Sequence, residues 1–174
     1  MLYIWLDESD KEGTYYSNFY GGILIKSVNV DKVLRMSQTK ISEVGLDNEE
    51  IKWQKVNKFT FEKYKILIDF IFDLLENDLA KIRIFFRNNQ FVPQGLTKEQ
   101  KRKEYPLLYY QFIKHGFGLQ YSNPNAEETN IKLLLDDMPL KGDDAKEFKR
   151  YLFGLNFDDS FKKAHLHIKM EDIC

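Results

Sequence analysis

The first nine residues constrain the fold more than any other stretch. Leu2-Tyr3-Ile4-Trp5-Leu6 is an unbroken apolar run with aromatic and β-branched members, and Asp7-Glu8-Ser9 follow at once. A run this short, closed by polar residues, reads as a core strand rather than a helix. The acids therefore stand at its carboxyl end. Carboxylates next to a core need water, a cation or a basic partner, so the tip is either a solvated turn, with Ser9 and Asp10 as turn formers, or a place where carboxylates are gathered for a ligand.

The rest of the chain alternates strands with helices. Asn18 to Ile25 reads as a second strand, joined to the first through a Gly13-containing segment that suits an antiparallel hairpin. Gly21-Gly22 inside it points to a bulge or to a close approach of backbone or ligand, with a local kink as the simpler alternative. From Asn29 or Asp31 to about Glu43, Val30, Val33, Leu34 and Ile41 recur at helical spacing and Gly45 supplies a stop. A stronger helix is expected from about Thr60 to Asn77, apolar on more than one face and so largely buried. Lys81 to Phe86 alternates as a strand, Thr97 to about Gly116 reads as a helix broken or kinked near Pro106, and residues 123–125 form a turn around Pro124. Asn130 to Leu135 is the third core strand and again ends in acids, Asp136-Asp137. A helix from Asp143 to about Leu155, with Asp143 or Asp144 as N-cap, and a strand from Ala164 to Lys169 close the chain. A hairpin followed by strands interleaved with helices indicates an α/β fold, a mixed sheet flanked by helices, over a single domain at 1–174.

Composition removes whole classes of function. The net charge is -1, with 26 basic and 27 acidic residues, so neither a basic nucleic-acid coat nor an acidic tail is present and any polyanion site must be local. No apolar stretch approaches the roughly 20 residues of a membrane span, and no signal-peptide pattern opens the chain, which predicts a cytoplasmic protein with no membrane partner. The one cysteine, Cys174, excludes an internal disulfide framework and a cysteine-based zinc cluster. There is no phosphate-binding glycine loop and no nucleophile-elbow serine.

Two core strands that end separately in aspartates give a sharper expectation, because ligands of open α/β sheets gather at strand carboxyl ends. Asp7 and Asp136 can meet there. Magnesium or manganese is held by a few carboxylates with water and substrate phosphate, and a pair of such ions supports phosphodiester hydrolysis. Glu50, just before Ile51-Lys52-Trp53, offers a third oxygen ligand, and Lys52 a cation for a phosphate.

Tyr3-Ile4-Trp5-Leu6-Asp7-Glu8-Ser9, Gly21-Gly22-Ile23-Leu24-Ile25, Glu50-Ile51-Lys52-Trp53 and Leu133-Leu134-Leu135-Asp136-Asp137 together resemble, in order, the family catalogued as domain of unknown function 3800. The resemblance implies a ribonuclease H-like fold and a metal-dependent nuclease acting on RNA or DNA, of the kind associated with mobile elements and bacterial phage defence. It implies Asp7 as central metal ligand, Glu8 as an auxiliary, Glu50 as the second acid and Lys52 beside the substrate. Asp136 is the third ligand, with Asp137 as its alternative, since strand alternation decides which one faces the site. The chain departs from the family pattern at Asp10, where a glycine is usual, and in lacking the later helix that carries a Leu-Gln-x-x-Asp acid. The expectation is a shortened member completed by its terminal acids, by a partner chain or by a homodimer. A second expectation is a catalytically incomplete module that binds nucleic acid or protein.

Two further groups merit placement. Lys98, Lys101, Arg102 and Lys103 form a basic helical stretch able to contact phosphates, with Tyr105, Tyr109 and Tyr110 for base stacking; the alternative is a solvated face over core tyrosines. His165 and His167 share a strand face but have no third His or Cys nearby in sequence, so surface histidines are expected rather than a metal site.

Overall fold

A computed structural model describes residues 1–9, 13–91, 94–123, 127–136, 140 and 142–174, with Arg102 described by its backbone alone. The α/β expectation holds. Five strands, β1 (Leu2–Ser9), β2 (Tyr16–Lys26), β3 (Lys81–Asn88), β4 (Thr129–Leu135) and β5 (Leu166–Ile173), form one mixed sheet in the order β3-β2-β1-β4-β5. The helices are α1 (Ser27–Glu43), α2 (Phe61–Glu76), α3 (Lys98–Arg102), α4 (Glu104–Gln111), α5 (Gly142–Phe153) and α6 (Asp159–Lys163).

Strand directions follow from connection lengths. β1 and β2 are neighbours joined by residues 10–15, too few for the crossover a parallel pair needs, so they run antiparallel. Asn89 N–H donates to the Tyr15 carbonyl at 2.9 Å, which sets the end of β3 against the start of β2 and makes that pair antiparallel too. β4 is parallel to both its neighbours, with β1 in the register Leu2↔Ile131 to Leu6↔Leu135.

The chain divides into two compact units, residues 1–24 with 82–174, and residues 25–81. In the first, strand alternation sends Leu2, Ile4 and Leu6 of β1 and Ile131 and Leu133 of β4 to one face, where Phe112, Phe148, Leu152 and Phe161 cover them. Ile4, Ile131 and Leu133 are 0 % exposed, and burying each such side chain contributes about 2 kcal/mol. Gly22 on β2 answers the question its sequence raised. A Cβ there would lie 2.7 Å from Phe117 Cζ and 2.9 Å from Leu6 Cδ2, so the residue is a glycine to let the core close.

Several boundaries differ from the sequence expectation, each for a local reason. β1 does not stop at Leu6: it runs on through Asp7, Glu8 and Ser9, past the last residue it pairs with on β4, so the acids lie on the strand rather than in a turn. The helix expected across 97–116 is three pieces. α3 starts on a capping box between Thr97 and Gln100, and the chain restarts after Lys103 as α4, whose first turn takes Pro106 where a missing N–H costs nothing. A π turn, Phe112–Gly116, follows. Asp143 and Asp144 lie in the first turn of α5, where they suit the helix dipole, instead of capping it. His165 has φ 51° and precedes β5, which runs on to Ile173.

The second unit holds α1 and α2. Gly45, at φ 66°, ends α1 as the stop signal predicted, and Leu67 packs with Val44 and Leu46. α2 is not largely buried: Leu67, Phe70 and Leu74 are, at one-face spacing, whereas Phe61, Ile66, Ile68 and Phe72 are exposed. Its apolar residues outnumber what one covered stripe can take.

Candidate functional site

The register between β1 and β4 brings two of the expected acids side by side. Leu6 pairs with Leu135, the Asp136 N–H donates to the Leu6 carbonyl at 3.0 Å, and the residue after each is an aspartate, Asp7 on β1 and Asp136 just past the end of β4. Alternation turns Asp7 to the face opposite Leu6, and Asp136 follows immediately past the end of the neighbouring strand, about 4.8 Å away. Both are exposed. On the other flank, Gly21 of β2 lies beside Asp7, and a Cβ added there would meet nothing nearer than the Asp7 carbonyl oxygen at 4.0 Å. Gly21 thus leaves the β2 flank of Asp7 clear. Asp7 Oδ1 accepts the Glu8 backbone N–H at 2.8 Å, which steadies its carboxylate at the strand end.

Glu8 goes the other way. It shares the core-facing side with Leu6, half-buried, and its two carboxylate oxygens accept the hydroxyls of Tyr105, at 2.9 Å, and of Tyr109. Both tyrosines come from α4. Tyr109 is 0 % exposed and makes an edge contact with Tyr20, ring centroids 4.7 Å apart. Burial drives all three phenols well above the usual tyrosine range, reinforced for Tyr105 and Tyr109 by their bonds to Glu8 and for Tyr20 by the charge of Glu8. Tyr109 is therefore a core donor with no face left for base stacking, and Tyr105 is tied to the same carboxylate. The sequence carried a signal for this: tyrosines at i and i+4 on a helix project from one face.

The remaining expected residues are placed as follows. Glu50 and Lys52 belong to the second unit, exposed and paired with each other at 2.8 Å. Asp137 lies outside the described residues, as do Asp10 and the turn residues Pro124 and Asn125. Lys98 and Lys101 are exposed on α3, Lys103 is bonded to Glu99 at 2.9 Å, and the Arg102 side chain is not among those described. His165 Nδ1 lies 3.4 Å from Glu128 Oε1 and His167 Nε2 meets the other oxygen, so both histidines spend themselves on one exposed carboxylate.

Asp7 and Asp136 supply two hard oxygen donors, the ligand type that suits magnesium or manganese, ions that complete their shells with water and phosphate. The donor chemistry fits such an ion. Among the described residues no group of three His, Cys, Asp or Glu side chains able to hold a metal is present. A cleft lined by Lys103, Pro106, Leu140, Asp144, Glu147 and Phe148 and an open groove around Tyr121 and Lys163 include neither aspartate. Among the described residues no helix is long and apolar enough to cross a membrane. No protein-family model matches the chain, and none of the curated proteins compared with it matches either.

Proposed function

We propose that the chain is a metal-dependent nuclease of ribonuclease H-like architecture, with Asp7 and Asp136 as the ligands on which the reaction turns. The observation that carries the reading is the in-register placement of these two aspartates at the carboxyl ends of the adjacent parallel strands β1 and β4. The strand order β3-β2-β1-β4-β5, with β4 and β5 parallel to β1, supports the architecture.

Magnesium or manganese, when bound, supplies charge neutralisation at the phosphate and activation of water. The chain's own residues do the rest. Asp7 and Asp136 hold the cation on an open face, Gly21 keeps that face clear for a sugar-phosphate backbone, and Glu8 fixes the β1 tip from below through Tyr105 and Tyr109. Glu50 as a third acid and Lys52 as a phosphate contact rest on the family resemblance. Lys98 and Lys101, exposed and cationic, are the candidates for contacting nucleic-acid phosphates.

The test is calorimetric titration with magnesium and with manganese, followed by cleavage of mixed RNA and DNA substrates, on wild type, Asp7→Asn and Asp136→Asn. The expected result is metal binding and cleavage in the wild type, with cleavage at least about a hundredfold slower in either variant. Cleavage that survives both substitutions overturns the reading. A second reading, a module that binds nucleic acid without cutting it, is favoured by the lack of a third converging acid among the described residues. Nucleic-acid binding with no cleavage in either metal would establish it.

A further inference from the structure

The two edges of the sheet are built on different rules. β5 carries His167, Lys169, Glu171 and Asp172, and its register against β4 shifts between the pairs Ile131↔Ile168 and Leu133↔Ile173. Charge and a bulge are two of the devices by which an edge strand avoids recruiting another strand. β3, at the opposite edge, reads Lys81-Ile82-Arg83-Ile84-Phe85-Phe86-Arg87-Asn88 and has no acid at all. Phe85 faces the core, with ring centroids 6.1 Å from Phe112 and 6.3 Å from Tyr20. Ile84 and Phe86 therefore stand on the other face, and they are 67 % and 47 % exposed. Phe86 meets Tyr16 and Phe19 at 5.1 and 5.5 Å, which extends the apolar strip onto β2.

We propose that β3 is a self-association edge, at which a second copy of this chain adds its own β3 antiparallel across a two-fold axis and joins the two sheets into one. The outer row of backbone N–H and C=O groups on an edge strand is complementary only to another extended backbone, so the partner element is a strand. A second copy fits because the strand is self-complementary under a two-fold axis. Centring the axis on Ile84 sets Ile84 against its own counterpart and Ile82 against Phe86. Centring it on Phe85 sets Ile84 against Phe86. Either register puts apolar on apolar, the cross-strand pairing that stabilises a sheet. In either register a cation of one copy faces Arg87 of the other, Lys81 in the first and Arg83 in the second, and Glu104 offsets the Arg87 charge. Arg83 Nε donates to the Gly116 carbonyl at 3.1 Å and Arg87 is paired with Glu104.

Sedimentation equilibrium over the micromolar range tests the inference, with wild type, Ile84→Lys and, as a control on the other edge, Met170→Lys. Met170 is 38 % exposed on β5. The wild type is expected to form dimers, Ile84→Lys to associate at least about tenfold more weakly because the lysine then faces either its own counterpart or Phe86 across the axis, and Met170→Lys to behave as wild type. Hydrogen exchange on the wild type should show amides of residues 82–88 gaining protection as concentration rises. A wild type that stays monomeric overturns the proposal. So does a dimer unaffected by Ile84→Lys, or one that leaves the β3 amides unprotected.

Discussion

Asp7 and Glu8 are chemically near-identical neighbours, yet the structure assigns them opposite environments. Asp7 looks out from the sheet, exposed, next to Asp136 on one side and a glycine on the other. Glu8 looks into the core and satisfies two tyrosine hydroxyls. One residue of strand alternation separates a carboxylate free to meet a cation from one consumed in holding the fold. The pair teaches that an acidic doublet at a strand tip meets two environments side by side, and Glu8, for which the family resemblance implies an auxiliary metal ligand, has both carboxylate oxygens accepting tyrosine hydroxyls.

The comparison breaks most visibly at Glu8. Glu8→Ala leaves the Tyr105 and Tyr109 hydroxyls without their acceptor beside the core, and each such loss costs about 1–3 kcal/mol. A destabilisation of about 3 kcal/mol is expected in urea unfolding, with Glu8→Gln recovering part of it because one carbonyl acceptor remains. If Glu8→Ala unfolds with the wild-type midpoint, the carboxylate is not the anchor described above.

Removing a donor should do less than removing the shared acceptor. Tyr109→Phe keeps the ring and leaves Glu8 bonded to Tyr105, so a loss of about 1–2 kcal/mol is expected by the same unfolding measurement. The phenols add a pH signature. Burial raises the folded-state pKa of Tyr20, Tyr105 and Tyr109 above the unfolded value of about 10. Above that pH the unfolded chain binds fewer protons than the folded one, so stability is intact below about 10 and falls as pH rises past it. Urea midpoints measured across the alkaline range should decline in the wild type and decline less steeply in Tyr109→Phe. Equal slopes in the two proteins would contradict a buried, protonated Tyr109.

Much of the fold was legible because the signals were local. The apolar runs at 2–6 and 130–135, the stop at Gly45 and the hairpin between β1 and β2 rest on periodicity and turn chemistry that need no tertiary information. The outward aspartate pair was half legible. Each strand announced its own acid, but that Asp136 comes beside Asp7 depends on the β1–β4 register, a pairing between segments more than a hundred residues apart. The partners of Glu8 were not legible at all from β1, since Tyr105 and Tyr109 arrive on a helix from the far half of the chain. α2 was misjudged for the opposite reason: its periodicity shows many apolar residues but not how many will be covered.

The smallest effect on stability is expected where the effect on function is largest. Asp7 and Asp136 are exposed, and among the described residues the hydrogen bond shown for the Asp7 side chain is to the adjacent Glu8 N–H. Asp7→Asn retains a side-chain oxygen for that bond and removes one of two like charges on neighbouring strands, a juxtaposition that itself destabilises a sheet. Unfolding free energy should therefore change by no more than about 0.5 kcal/mol, with a bias toward stabilisation. The sharper experiment adds magnesium. An ion bound between the two aspartates raises the midpoint of the wild type in proportion to its affinity and leaves that of Asp7→Asn where it was. Glu8→Gln, with its altered anchor but both aspartates intact, should keep the magnesium-induced rise. A rise lost in Glu8→Gln and kept in Asp7→Asn would reverse the assignment and make the core-facing acid the ligand.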